Sequence, residues 1–364
     1  MAMQFTKDHS EQPRGWKHTI YDYMTDHDIK HTAATPLQGG HSAYIWRIDG
    51  YEDPISGAIN GPCVLKYAEE TAKGSPSIIA DALRMQFEAR ALISRPVANA
   101  CLSEPSVQVP KVLRTTDRAL LMTWGGEIDL RSAYVQGSSF DAGDIGARLG
   151  RWLACLHLAG FEDEQVRAYE SEMIEPVVAG EHENLRKTMI ARGMGESAAH
   201  EAMVQLRKDA GPRTMTVWDF RPMNTLLRFS NATGSEPGLT VIDWECSRYG
   251  CPVDDLSHWV AEALVLEAKH GNGPNMLPRF LAAYVLQASE RIVTADFVCK
   301  LAISVASTLL SLAPSGLWDT DKAEAEFWVA RGLQFVHAAV MKDMAWFSSS
   351  EFSPLCHNPT YGRL

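Results

Sequence analysis

Three side chains with hard oxygen donors stand at spacings suited to binding a metal ion and a phosphate. Asp219 and Asn224 are five positions apart in a proline-containing loop, and Asp243 lies at the far end of a predicted hairpin. Apolar segments at 225–229 and 239–242, on either side of a turn rich in Asn, Ser, Gly and Pro, predict that hairpin. Mg²⁺ takes one or two carboxylates and leaves its other positions to phosphates and water. The pattern predicts a magnesium–phosphate centre in preference to a surface hairpin with ordinary turn carboxylates.

Three features nearer the start of the chain are candidates to bind the phosphates. Gly39 and Gly40 precede an alternating strand, and glycines there let backbone amides approach a phosphate closely. Lys66 ends an apolar strand, where a lysine is costly unless an anion is near. Glu88, on a helix predicted over 76–94, is the candidate partner of Lys66.

Each of these features also has an ordinary structural interpretation. The glycines alone fit a plain hairpin turn, because a full Gly-x-Gly-x-x-Gly is lacking. Lys66 alone fits a solubilising charge on an edge strand, and Glu69 and Glu70 are alternative acids near it. The order of glycine loop, lysine and helix glutamate favours phosphate binding.

The loop and the hairpin resemble those of a known kinase family. Asp219-Phe-Arg-Pro-Met-Asn224 resembles the Asp-Leu-Lys-Pro-Glu-Asn of protein kinases and, more closely, the His-Gly-Asp-x-x-x-x-Asn of aminoglycoside phosphotransferases and choline kinase-like small-molecule kinases. Ile242-Asp243-Trp244-Glu245 resembles their form of the metal-binding Asp-Phe-Gly. The longer pattern Ile-Asp-Trp-Glu-x-x-x-Tyr-Gly is similar to that of fungal hydroxytryptamine kinase and methylthioribose kinase-like enzymes, which act in secondary metabolism among other pathways.

The resemblance implies an α+β, bilobal protein-kinase-like fold and ATP-dependent phosphoryl transfer to a hydroxyl of a small molecule. Asp219 would be the catalytic base, with Asn224 and Asp243 as Mg²⁺ ligands. Lys66, paired with Glu88, would hold the α- and β-phosphates of ATP.

Three further roles are expected around this loop. Arg221 would fork onto the γ-phosphate, or else pair with a neighbouring acid. Glu245 would contact the metal from outside its ligands or face an amine of the acceptor. Trp218 would shape the acceptor pocket. Val217-Trp218 replaces the His-Gly of the family, in which the histidine braces the loop. The replacement therefore bears on the architecture of the loop more than on its chemistry.

The same resemblance sets the expected domains. We expect an N-lobe of a small antiparallel sheet over 1–123, a hinge over 124–127, a larger, mostly helical C-lobe over 128–347, and a tail over 348–364. At the hinge the backbone would receive the edge of the adenine ring of ATP, with Met122 and Trp124 among the nucleotide-binding residues. A plain loop with glycines would have the same pattern.

Only about ten residues separate Asp243 from Asp254 and Asp255, too few for the long activation segment that holds a polypeptide substrate. The acceptor is therefore expected to be small, and an amine-bearing metabolite is a candidate. Asp255 is expected to tie its helix to the loop, and His157 to be a satisfied core histidine.

Composition narrows the class of partner. A net charge of −11 argues against binding a nucleic-acid backbone, which requires a basic stripe. We find no apolar run near the ~20 residues that span a bilayer, and expect no membrane partner. Seven cysteines, an odd count without paired spacing, and a polar N-terminus favour a cytoplasmic protein with reduced thiols.

Two other functions compete with a small-molecule kinase. The first is a binding protein that keeps the kinase scaffold without catalysis, which the altered Val217-Trp218 suggests. The second is a biosynthetic enzyme that uses the cleft for chemistry other than phosphoryl transfer. The presence of Lys66, Asp219, Asn224 and Asp243 together favours the kinase, because a scaffold that binds nucleotide without catalysis does not need all four.

Overall fold

A computed structural model describes residues 20–38, 42–73, 75–79, 82–169, 174–208, 211–229, 236–271 and 275–356. In these residues the chain begins with strands and continues with helices. The strands are β1 Ala33–Pro36, β2 Tyr44–Asp49, β3 Cys63–Tyr67, β4 Thr71–Ala72, β5 Ser75–Ile79, β6 Val107–Gln108, β7 Val112–Thr115, β8 Ala119–Thr123, β9 Ile128–Asp129, β10 Thr214–Thr216, β11 Thr225–Arg228, β12 Gly238–Val241 and β13 Arg248–Gly250. The helices are α1 Ile20–Asp26, α2 Arg84–Leu92, α3 Arg95–Ser103, α4 Leu130–Val135, α5 Ala142–Phe161, α6 Ile174–Ala191, α7 Glu196–Arg207, α8 Pro252–His270, α9 Met276–Ala288, α10 Ala295–Leu312, α11 Lys322–Val340, α12 Met344–Ser348 and α13 Ser353–Cys356. Short 3₁₀ helices are Glu164–Ala168, Pro222–Asn224, Ser289–Arg291 and Ala313–Ser315.

The N-terminal sheet is antiparallel throughout, with the strand order β1-β2-β3-β8-β7. β2 has the alternation of a strand with one buried face, because Tyr44, Trp46 and Ile48 are buried while the residues between them are partly exposed. β3 is central, with β2 and β8 as its neighbours, so Lys66 lies inside the sheet and not at its edge. This sheet is the small lobe that the sequence predicts.

The helix predicted over 76–94 is shorter than expected. β5 occupies the first part of that range and pairs with β4, and α2 begins only at Arg84. Pro76 and the β-branched pair Ile78-Ile79 favour an extended backbone over a helix interior, which explains the error. Leu83, just before α2, has an exposed side chain, although the helical prediction places it with Phe87 on an apolar face.

A second sheet, with the order β6-β12-β11-β9, joins strands from distant parts of the chain. β11 and β12 form the predicted antiparallel hairpin, with Thr225 opposite Val241 in register. β6 pairs in parallel with β12, although it precedes the expected hinge, and α3 just before it packs on α5. A separate pair, β10 and β13, lies on either side of the hairpin in sequence.

The C-terminal part is helical, as the sequence predicts. α5 and α9 cross closely at two glycines: a Cβ on Gly146 would lie 2.1 Å from the carbonyl oxygen of Met276, and one on Gly150 would lie 2.3 Å from that of Phe280. Trp152 and Trp259 belong to the buried core that these helices enclose. The expected tail contains α13, and both Phe352 and Leu355 are fully buried, so the chain packs on the core as far as 356.

One helix meets the length and composition of a membrane span, although we expected no such run. The stretch Ala295–Ser315 qualifies, and 78% of it is buried inside the protein. A helix that is apolar on all sides is also what the core of a large domain contains. The burial of α10 against its neighbours accounts for its apolar character.

Candidate active site

A buried ionic cluster surrounds Lys66. Its Nζ lies 2.9 Å from Oε2 of Glu88, 2.5 Å from Oδ1 of Asp243 and 3.1 Å from Oε2 of Glu245. Burial lowers the pKa of Lys66, but the three carboxylates outweigh it and hold the pKa well above its usual value. Burial raises the pKa of Glu88 to about 7, since one ammonium does not neutralise three acids. The cluster joins β3, α2 and the residues after β12.

Glu88, and not Glu69 or Glu70, is the helix acid that reaches Lys66. It is 1% exposed, and its second oxygen accepts a hydrogen bond of 3.2 Å from the backbone N–H of Trp244. Glu70 instead pairs with Arg118 at 3.1 Å on the surface. The contact between Lys66 and Glu88 is therefore the one expected from the sequence.

Arg84 is a buried residue of this region that the sequence did not indicate. Its guanidinium donates hydrogen bonds to the backbone carbonyls of Glu69, at 2.6 Å, and Ser42, at 2.8 Å. It also lies 3.9 Å from Glu245. Arg84 thus holds the backbone before β2 and after β3, beside the cluster. No local sequence pattern identifies it, because these partners are distant in sequence.

The segment 217–224, which we call the Asp–Asn loop, brings Asp219 and Asn224 into contact. Nδ2 of Asn224 donates to Oδ2 of Asp219 at 2.8 Å and to its carbonyl oxygen at 2.9 Å. The carbonyl of Asn224 accepts a hydrogen bond of 3.0 Å from the N–H of Ile242. The start of β11 and the end of β12 are held together there, so Asp219, Asn224 and Asp243 lie at one end of the hairpin.

Arg221 is partly buried beside Asp219. Its Nε lies 3.1 Å from Oδ1 of Asp219, as an ion pair without a hydrogen bond at this nitrogen. Burial lowers the pKa of Arg221, but Asp219, Glu262 and Asp243 together raise it above its usual value. The guanidinium therefore stays charged among acids from the loop, the hairpin and α8.

The Asp–Asn loop is braced from α8 instead of by the family's histidine. The Asp255 carboxylate accepts hydrogen bonds from the backbone N–H of Val217, at 3.1 Å, and of Trp218, at 2.6 Å. His157 lies 2.9 Å from the same carboxylate and is fully buried. His258, also on α8, lies with Nδ1 2.7 Å from the carbonyl of Trp218. The structural roles expected for Asp255 and His157 are those observed.

Two residues of the site have left-handed backbone conformations that favour glycine. φ is +72° at Trp218 and +68° at Asp243. Trp218 stands where the resembling family has glycine, a residue that adopts this conformation without strain. Strain of this kind persists where surrounding contacts determine the backbone, and here the contacts to Asp255 and His258 do so.

A cleft of about 440 Å³ opens between the N-terminal sheet and the hairpin, within the size range of small-molecule sites. Val64 and Met122 line it from the sheet, and Leu226 and Ile242 line it from below. The cleft is also lined by four polar or charged residues, Lys66, Glu88, Asn224 and Asp243. It therefore combines an apolar part with a charged part.

The expected hinge lines the same cleft. The N–H of Trp124 donates to the carbonyl of Pro62 at 3.1 Å, and its ring lies over Arg47, so this N–H is not open to a ligand. At Gly126, where φ is +155°, a Cβ would lie 2.4 Å from the carbonyl of Leu227. Glycine there lets the chain pass closely over β11. Gly39 and Gly40 lie outside the described residues.

The donor atoms suit a hard cation. Carboxylate oxygens of Glu88, Asp243 and Glu245 all lie within 4.8 Å of one another, and Asp243 is the most exposed of the three. Because Nδ2 of Asn224 is used by Asp219, its oxygen is the atom left for a cation. Glu245 is buried against Lys66 and Arg84 and is not among the described residues that line the cleft. Of its two expected roles, this position beside Glu88 and Asp243 favours a contact near the metal site over one with the acceptor.

Comparison with known proteins shows what this chain is similar to. The chain is similar to the 4-hydroxytryptamine kinase of Psilocybe cyanescens, with 22% identity over 342 residues, which cover 88% of this chain and 92% of that one. It has the fold of the ADP-bound aminoglycoside phosphotransferase APH(2'')-Ib, with a TM-score of 0.51 and 16% identity over 88% of this chain and 98% of that one. The phosphotransferase enzyme family, APH, matches residues 76–292, more than half of the chain. This protein belongs to the phosphotransferase enzyme family.

Proposed function

We propose that this protein transfers the γ-phosphate of ATP to a hydroxyl of a small, amine-bearing molecule. The observation that carries the proposal is the convergence of Lys66, Asn224 and Asp243 on one cleft, with Asp219 hydrogen-bonded to Asn224 at its edge. Phosphoryl transfer requires this combination of a cation for the phosphates, metal-binding oxygens and a base for the acceptor.

The nucleotide would occupy the 440 Å³ cleft. Its adenine ring would lie between Val64 and Met122 on one side and Leu226 and Ile242 on the other, where apolar faces remove the ring from water. Lys66 would contact the α- and β-phosphates, with Glu88 holding the ammonium in place. The ADP bound to the aminoglycoside phosphotransferase of the same fold supports this assignment.

Asp243 and Asn224 would hold Mg²⁺, since both line the cleft together with Lys66 and carry oxygen donors. Mg²⁺ bound there would neutralise charge on the phosphate oxygens. Asp243 must exchange its contact with Lys66 for this role, and Lys66 would then turn to the phosphates.

Asp219 would accept the proton of the acceptor hydroxyl as the new oxygen–phosphorus bond forms and the bond to the leaving ADP breaks. Its hydrogen bond from Asn224 orients the carboxylate and leaves Oδ1 beside Arg221. Arg221 would stabilise the charge that develops on the transferred phosphoryl group. The chain runs from Asp243 to the start of α8 at Pro252 without a long intervening segment, which suits a small acceptor.

The relative from Psilocybe cyanescens, a 4-hydroxytryptamine kinase, supports an acceptor with a hydroxyl and an amine, such as a secondary metabolite. The seven cysteines, none of them in a disulfide, suit a cytoplasmic setting.

The test is ADP formation from ATP and Mg²⁺ with a panel of hydroxylated acceptors. We expect acceptor-dependent ADP formation that is lost in Asp219→Asn and Asp243→Asn, and kept in Asp26→Asn, a control at an exposed position on α1. ATP-independent conversion of an acceptor, or stabilisation by Mg-ATP without turnover of any acceptor, would overturn the proposal.

A further inference from the structure

A second, smaller pocket has Trp218 of the Asp–Asn loop in its lining. It has a volume of about 40 Å³, enough for roughly three water molecules. Its walls come from α6, α8 and α10 and from the ring of Trp218, which stands beside Asp219. The pocket therefore adjoins the residue that we assign to the acceptor hydroxyl.

Ser307, on α10, lines this pocket with a hydroxyl that has no hydrogen-bond partner among the described residues. Ser307 is only 6% exposed, so its Oγ is removed from bulk water. The neighbouring Thr308 is satisfied within its helix, because its hydroxyl donates to the carbonyl of Ser304 at 3.2 Å. Buried hydroxyls without partners are rare, since desolvation without a hydrogen bond costs free energy. An unpartnered, buried hydroxyl at a pocket indicates a polar ligand there.

Glu181, on α6, adds a carboxylate to the same wall. Within the described part of the chain, no hydrogen bond or ion pair to Glu181 is found. Burial raises its pKa, Asp219 and Asp254 raise it further, and His258 and Arg248 act in the opposite direction. A carboxylate in such a place gains stability when a cation replaces the water it has lost.

The other titratable groups of the pocket do not balance the negative charge of Glu181. Arg248 is paired with Asp254 at 2.8 Å, so these two cancel. Burial lowers the pKa of His182, so it is neutral at pH 7. His258 is engaged through Nδ1 with the carbonyl of Trp218. The pocket therefore favours a single positive charge, beside an aromatic ring of the kind that also attracts cations.

We propose that this pocket binds the ammonium group of the acceptor, with Glu181 and Ser307 accepting its N–H hydrogen bonds and the ring of Trp218 as its wall. This inference rests on the proposed function, because it assumes that the acceptor hydroxyl lies at Asp219. It specifies an acceptor whose ammonium group reaches this pocket while its hydroxyl lies at Asp219.

Isothermal titration calorimetry without nucleotide tests the pocket directly. The probes are hydroxytryptamine, hydroxyphenylethylamine and aminopropanol, each beside its neutral N-acetyl derivative. We expect the wild type to bind at least one amine roughly tenfold more tightly than its N-acetyl form, and Glu181→Gln to remove that preference. Ser307→Ala should weaken binding of the amine by a smaller factor. Glu183→Gln, the same change at an exposed position on the same helix, should bind like the wild type.

The outcomes separate this inference from the proposed function. Equal binding of amine and N-acetyl form, no binding of any of the three amines, or an unchanged preference in Glu181→Gln would overturn the ammonium site even if the enzyme phosphorylates other acceptors. Conversely, Glu181-dependent binding of an amine that is never phosphorylated would support the pocket and contradict the kinase. Unchanged melting temperatures of the variants exclude misfolding as the cause. In turnover, Glu181→Gln should raise KM for the amine and leave KM for ATP unchanged.

Discussion

The amide nitrogen of Asn224 lies 2.8 Å from Oδ2 of Asp219, so one residue of the site orients another. On our assignment Asn224 has two functions: its nitrogen directs the base and its oxygen binds the metal. The base and the metal are then coupled through one side chain.

Replacing this amide by a carboxylate should expose the coupling. In Asn224→Asp two carboxylates would stand in contact, and like charges raise the pKa of such a pair. Since the base must be deprotonated to accept a proton, the acidic limb of the pH profile of kcat should move to higher pH, by roughly one unit or more. Steady-state kinetics between pH 5 and 9 measure the limb. An acidic limb at its wild-type position would mean that Asp219 is not the titrating base.

Lys66 should matter for stability as well as for activity. In Lys66→Met, Glu88 remains buried without its cation, which should lower the free energy of unfolding by roughly 3–5 kcal/mol at pH 8. Burial already raises the pKa of Glu88 to about 7, and loss of the ammonium raises it further above the unfolded value, so stability is present at low pH and lost as pH increases. Urea unfolding at pH 5 and pH 8 should show a smaller loss at pH 5. A loss independent of pH would contradict the ionic cluster.

Trp218 offers a test of backbone strain. Because its φ is +72°, Trp218→Gly should be more stable than Trp218→Ala by about 1 kcal/mol, although both lose the same ring contacts. Val217 is the matched control, since it lacks a positive φ and alanine should there be more stable than glycine. Thermal unfolding of the four variants gives the comparison. The same order at both positions would show that Trp218 is unstrained.

Glu262 should make stability depend on pH. It is 2% exposed, neither oxygen has a hydrogen-bond partner among the described residues, and burial raises its pKa from 4.5 to about 7 despite Arg221 and Arg131 nearby. A raised pKa in the folded state gives stability that is full below pH 4.5 and lost as pH passes 7. The free energy of unfolding of Glu262→Gln, relative to that of the wild type, should therefore increase by roughly 2–3 kcal/mol between pH 5 and pH 8. Denaturant titrations at both pH values measure it, and a constant difference would mean that Glu262 has an ordinary pKa.

The sequence predicted the elements whose signals are local. Asp219 and Asn224 share one loop and Asp243 ends the next hairpin, so their proximity follows from short-range geometry. The alternation of Tyr44, Trp46 and Ile48 likewise marks β2 without tertiary information. The contact of Lys66 with Glu88 is longer in range, and it was predicted only because the family pattern joins them.

The residues that the sequence did not indicate reach the site from distant elements. Glu262 and His258 lie on α8 with ordinary helical spacing, and Glu181 and Ser307 lie on helices that meet only after folding. Their chemistry depends on which face each helix turns to its neighbours, and no local signal records that. The surroundings of Glu245 could not be predicted for the same reason: its position after Asp243 is local, but its contacts with Lys66 and Arg84 are tertiary.

The most direct test of the central claim is a pair of measurements on Asp219→Asn, the rate of acceptor phosphorylation and the affinity for Mg-ATP. If Asp219 is the base while Lys66, Asn224 and Asp243 hold the nucleotide, kcat should fall by roughly 10²–10⁴-fold while the Kd for Mg-ATP changes less than about threefold. Phosphorylation at the wild-type rate in Asp219→Asn would contradict the account.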